Sequence, residues 1–131
     1  MIGLDTNVLV RYIAQDDPVQ SAAATELIES LSVVTPGFIS MVTIVELVWV
    51  LQQCYPTAKA EIVQVISTLL RTKELAVENA EIVWQALRRF TDAKADFADC
   101  LIERSAHAAG CEYTMTLDPR TSNTAGMRQL A

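Results

Sequence analysis

The chain has 131 residues, which one domain accounts for, long enough to bury roughly two-thirds of its unfolded surface. It carries 16 acids against 10 Lys and Arg, a formal charge of −6, and no basic block; this excludes gripping nucleic acid by charge alone, so any nucleic-acid chemistry needs a cation to mediate it. Cys54, Cys100 and Cys111 are too widely spaced for a metal knuckle or a redox pair and read as buried thiols of a reducing cytoplasm. A mean hydropathy of +0.26 is high for a soluble monomer and implies apolar surface covered by a partner.

Met1 passes straight into a strand with no basic stretch or cleavage site, so the expectation is a cytoplasmic protein without a secretory signal. Ile2-Gly3-Leu4 reads as a buried strand that ends in Asp5-Thr6-Asn7, and Val8, Leu9, Tyr12 and Ile13 mark a short helix behind it. Asp17 and Pro18 open a second helix to about residue 32, with Val19, Ala23, Leu27 and Leu31 as its apolar face and Glu26 and Glu29 off that face. Residues 37–39 form a short strand, and Ser40 caps a helix over about 42–53 that keeps a helical period through Ile44, Leu47, Val48 and Leu51. The stretch 41–51 is the most apolar of the chain, carries Glu46 in its middle, falls short of the ~20 residues that span a bilayer, and reads as a buried helix.

Thr57 is the expected cap of a helix to about residue 71, residues 73–77 form an edge strand, and Asn79 caps a helix to about residue 90. The next helix opens at Asp96, places Asp99 at its third position, and ends at Gly110. Residues 111–117 alternate Tyr113, Met115 and Leu117 against Thr114 and Thr116, the pattern of a strand ending at Asp118. Residues 127–130 add a last short strand.

Asp5 and Asp118 thus follow strands, while Glu46 and Asp99 lie in first turns of helices. Right-handed βαβ crossovers bring such positions to one rim of a parallel sheet. Carboxylates converging without Lys or Arg between them repel until a cation relieves them. With no His or Cys in the set, the ion is Mg²⁺, with Mn²⁺ as substitute, rather than Zn²⁺. Such an ion activates a water toward phosphorus, which makes this a hydrolytic phosphodiester site. His107 is the sole histidine, so metal-free acid–base cleavage by a His pair is excluded. A carboxyl buried without a partner is costly, and Glu46 in its apolar run is therefore read as functional.

Asp5-Thr6-Asn7-Val8-Leu9-Val10-Arg11-Tyr12, Ile39-Ser40 through Val45-Glu46-Leu47, Asp96-Phe97-Ala98-Asp99-Cys100-Leu101-Ile102 and Thr116-Leu117-Asp118 together resemble the motifs of PIN-domain ribonucleases, in particular the VapC toxins of bacterial toxin–antitoxin pairs. The resemblance covers essentially the whole chain. It implies a single domain over residues 1–131 with a three-layer α/β fold, in which helices flank a central, mostly parallel sheet of four or five short strands. It further implies a Mg²⁺-dependent endoribonuclease, a homodimer, and a VapB-like antitoxin that blocks the acidic pocket. Carried over by motif, Asp5, Glu46, Asp99 and Asp118 are the metal-binding acids, and Asn7 and Thr116 orient carboxylates or water. Pro119 departs from the pattern, standing where such proteins more often carry a basic residue.

Some positions have two readings. Asp96 fits a helix cap and also a reach to the metal through water; Asp118 reads equally as a turn residue before Pro119. Arg11 and Arg120 lie next to the expected rim, as RNA phosphate contacts or as solvated side chains. Trp49 and Trp84 read as core or interface, and His107 as a surface residue. Two other functions compete with the nuclease. A haloacid-dehalogenase-type phosphatase would suit Asp5 but wants an acid where the chain has Asn7. A catalytically weak or inactive PIN-like module would keep the fold and mainly bind a partner protein.

Overall fold

Three short parallel strands organise the first half of the chain. In the computed structural model, which describes residues 1–131, the chain divides into two units, Met1–Glu78 and Asn79–Ala131. In the first, β1 (Ile2–Gly3), β2 (Gly37–Ile39) and β3 (Leu75–Val77) form one sheet in the order β1-β2-β3, with Ile2 opposite Gly37 and Phe38 opposite Ala76. Gly37 sits at the crowded centre: a Cβ there would lie 2.8 Å from Leu4 Cδ1 and 2.9 Å from Leu31 Cδ1. The strand expected to be buried is so only at its end, since Ile2 is 40% exposed on the edge strand whereas Leu4 is covered.

Four helices pack around this sheet: α1 (Thr6–Ala14), α2 (Pro18–Ser30), α3 (Met41–Cys54) and α4 (Lys59–Arg71). Local chemistry sets their ends. Gln15 turns into the left-handed region at φ 51°, which stops α1. Asp17 accepts from the N–H groups of Val19 and Gln20 with Pro18 in the first helical position, and Ser40 accepts from Thr43 N–H. The cap of α4 is Ala58, one residue beyond the expected Thr57, and its N–H is taken by Glu61 Oε1 at 3.3 Å. The face of α2 differs from expectation in part: Leu31 at its C-cap is buried as expected, but Val19 and Ala23 are exposed, and Ser21 and Ala24 form the buried side of the helix. On α3, Ile44, Leu47, Val48 and Leu51 are buried as the period requires, each worth about 1.5–3 kcal/mol of transfer free energy. The helix as a whole is not buried, because Val42 and Trp49 are 76% and 59% exposed.

The second unit contains α5 (Ala80–Asp92), α6 (Phe97–Ala108), β4 (Met115–Thr116), α7 (Pro119–Thr124) and β5 (Arg128–Gln129). α5 and α6 pack through Val83, Ala86, Leu87, Phe90, Phe97, Cys100 and Leu101, with Phe90 and Phe97 edge-to-face at 5.7 Å. Gly110, at φ +95°, terminates α6 as expected. β4 and β5 pair in parallel as a separate two-stranded sheet, so the α/β class holds while the five strands divide three and two instead of forming one sheet. The strand expected over 111–117 shrinks to two residues, and its apolar side faces outward: Tyr113, Met115 and Leu117 are exposed, with the Arg128 guanidinium 3.8 Å above the Tyr113 ring. α7 has no counterpart in the sequence reading. Cys100 is the one buried thiol, whereas Cys54 and Cys111 are exposed, and none of the three forms a disulfide. No helix is long and apolar enough to cross a membrane.

Candidate metal centre

Leu4 N–H donates to Phe38 O at 2.9 Å, which holds the chain against β2 up to the residue before Asp5. Asp5 then occupies the N-cap of α1 and accepts from Thr6 N–H through Oδ1 at 2.7 Å. Its capping role and its availability coexist, since that bond uses one oxygen of an exposed carboxylate and leaves the other without a protein partner. Asp5 opens into a hollow of about 570 Å³ between α1 and α3 whose walls also include Asn7, Arg11, Glu46, Cys54 and Tyr55. Glu46 reaches it because residues 46, 50 and 54 recur at intervals of four along α3 and line one helical face. Glu46 is exposed, contrary to the burial expected of it, so burial does not mark it as functional. What marks it is the shared hollow with Asp5.

Arg11, expected at the rim, is engaged there. Its Nη1 donates to Asp16 Oδ1 at 3.0 Å and to the Tyr55 hydroxyl at 3.4 Å, and its Nε donates to Gln20 Oε1 at 2.9 Å. Tyr55 in turn donates to Asp16 Oδ2 at 2.7 Å. That hydroxyl, together with the guanidinium, holds the Asp16 carboxyl below the usual carboxylate range.

The second unit carries the other acids. Asp96 occupies the N-cap position of α6, yet its side chain makes no capping hydrogen bond. Asp99 lies one turn on. Asp118 caps α7, with Oδ1 accepting from Arg120 N–H at 2.9 Å, and Pro119 falls in the first helical position, where a missing N–H costs nothing. Thr116 Oγ1 accepts from Asp118 N–H at 3.1 Å and so fixes the backbone that presents this carboxylate. Thr121, which the sequence reading passed over, puts its hydroxyl 3.3 Å from Asp99 Oδ2 and 3.1 Å from Asp118 Oδ2. Its position three residues after a capping Asp was the available signal. Burial pushes the Asp99 carboxyl above its ordinary range, the charges of Asp96 and Asp118 push the same way, and the Thr121 hydroxyl and Arg120 oppose them. A carboxylate held in this way gains when a cation arrives.

Within neither unit are three or more Asp, Glu, His or Cys side chains drawn close enough to hold a metal ion among themselves. The structure brings Asp5, Asn7 and Glu46 into one hollow, and Asp99 and Asp118 onto one threonine. All of these donors are oxygens. Mg²⁺ keeps several waters and takes one or two carboxylates, which a pair of this kind can provide.

The α/β chain thus presents carboxylates at the N-terminal ends and on the faces of its helices. The profile of the PIN domain family matches residues 2–127, a span that includes both units, and the chain belongs to that family. PIN domains are generally nucleases that depend on a divalent metal. No curated protein is similar enough to the chain to refine that assignment.

Proposed function

We propose that the protein is a Mg²⁺-dependent endoribonuclease and the toxin of a toxin–antitoxin pair, with Asp5, Glu46, Asp99 and Asp118 as the acids that hold the ion. The observation that carries this reading is the hollow shared by Asp5, Asn7 and Glu46 in a chain of the PIN family. The ion, once bound, supplies a water of lowered pKa and offsets the charge that develops at phosphorus. Asp5 contributes the carboxylate oxygen left over from its capping bond. Asn7, one helical turn before Arg11, orients a carboxylate or water by its amide. The Thr121 hydroxyl lies against the Asp99 and Asp118 carboxylates, Thr116 fixes the Asp118 backbone, and Asp96, whose side chain makes no capping bond, would meet the ion through water. Arg120 contacts RNA phosphate near Asp118.

The protein acts in the cytoplasm, pairs with a second copy of itself, and is silenced by a VapB-like antitoxin. The exposed Val42 and Trp49 on α3 support partner binding. They also favour a second reading, a weak or inactive PIN module whose main business is a partner protein. Incubation of the purified protein with RNA in Mg²⁺ and in EDTA decides between them: cleavage should require the metal and disappear in Asp5→Ala. Cleavage that persists in EDTA overturns the metal mechanism, and absence of both Mn²⁺ binding and growth arrest with a partner still captured supports the module.

A further inference from the structure

Arg11 is the one cationic side chain on the wall of the hollow that holds Asp5 and Glu46. Its guanidinium is already oriented: Nε is spent on Gln20, Nη1 on Asp16 and Tyr55, and Nη2 makes no hydrogen bond within the protein. An ion pair this exposed, at 34% and 41% side-chain accessibility, adds little to stability. Its evident effect is to fix the fork of a long side chain that would otherwise sample many rotamers. Residues from three elements are needed for this, since Gln20 lies on α2 and Tyr55 follows the end of α3. A hollow lined by acids repels a phosphodiester, so a cation of fixed position beside those acids is what admits one.

We propose that Arg11 grips a backbone phosphate of single-stranded RNA through Nη2, and that Asp16, Gln20 and Tyr55 are positioning residues that hold its guanidinium in one orientation on the wall of that hollow. This rests on the nuclease reading given above. It assigns to the Arg11–Asp16–Tyr55 cluster a role in substrate binding rather than in joining helices.

Binding of a labelled single-stranded RNA is followed by fluorescence anisotropy in Ca²⁺ over a series of salt concentrations. Arg11→Ala should weaken binding about tenfold and flatten the salt dependence by about 0.7 in logarithmic slope, the share of one phosphate contact on a single strand. Arg11→Lys should keep the slope while recovering only part of the affinity, because lysine lacks the fork. Tyr55→Phe, which leaves charge unchanged, should weaken RNA binding severalfold with Mn²⁺ affinity and melting temperature unaltered. RNA affinity and salt slope equal to wild type in a folded Arg11→Ala overturn the proposal; if that variant does not fold, unchanged RNA affinity in both Arg11→Lys and Tyr55→Phe does so. Loss of binding to an acidic peptide in Arg11→Ala, with RNA binding intact, overturns it in favour of a protein partner. Wild-type protein that binds RNA without cleaving it in Mg²⁺ removes the nuclease reading alone, and wild-type protein that does not bind RNA removes both.

Discussion

Replacing Thr121 by valine removes a single hydroxyl and keeps the volume of a buried side chain, so no cavity term enters. The hydroxyl has one proton for two carboxylates, at 3.1 Å from Asp118 and 3.3 Å from Asp99. A hydrogen bond to a charged group contributes about 1.5–3 kcal/mol when well buried. Asp118 is exposed and Asp99 half-buried, which places the loss at or just below that range, about 1–1.5 kcal/mol, or roughly 3–6 °C in melting temperature for a chain of this size. The pH dependence is the sharper test. The Asp99 carboxyl lies above its unfolded value, chiefly through burial, so its contribution to stability is full below the unfolded pKa and is lost as pH rises through the folded one. Thr121 pulls that pKa down; valine lets it rise further and enlarges the loss. Thermal melts in EDTA should therefore show Thr121→Val close to wild type at about pH 3 and progressively below it as Asp99 ionises. Equal melting at pH 7, or a gap that does not narrow in acid, refutes the reasoning.

Asp99→Asn should melt above wild type at neutral pH in EDTA, because the amide escapes the burial and the like charges that oppose the carboxylate, while its Oδ1 still accepts from Thr121; calorimetry should show its Mn²⁺ binding lost. Gly37→Ala should cost about 1–3 kcal/mol in a urea titration through crowding of Leu4, Leu31 and Leu75. Asp17→Ala should cost about 1 kcal/mol by the same measure, with the N–H groups of Val19 and Gln20 left uncapped.

The places where structure departed from expectation share a cause. α2 is rich in alanine and its apolar spacing fits more than one face; Ser21 and Ala24, both small, are the side that is covered. The apolar run around Glu46 shows a helix but not which flank meets solvent, and Glu46 proved to lie on the open flank beside Val42 and Trp49. The alternation of Tyr113, Met115 and Leu117 predicts a strand without saying which side is the core, and here the threonines are the less exposed side. α7 spans six residues, too few for a period to register, although Asp118-Pro119 carries both signals of a helix start.

Read alone, the sequence determined the α/β class, the main helices and most of their caps, because capping and amphipathic period act between residues a few places apart. It also carried the family resemblance, which resides in short motifs. Only the tertiary structure decided that Glu46 opens into the hollow of Asp5, that Thr121 joins Asp99 to Asp118, and that Arg11 is held by Tyr55, 44 positions away. Such contacts depend on which faces of separate helices meet, and side-chain packing selects those faces after the local pattern has been satisfied.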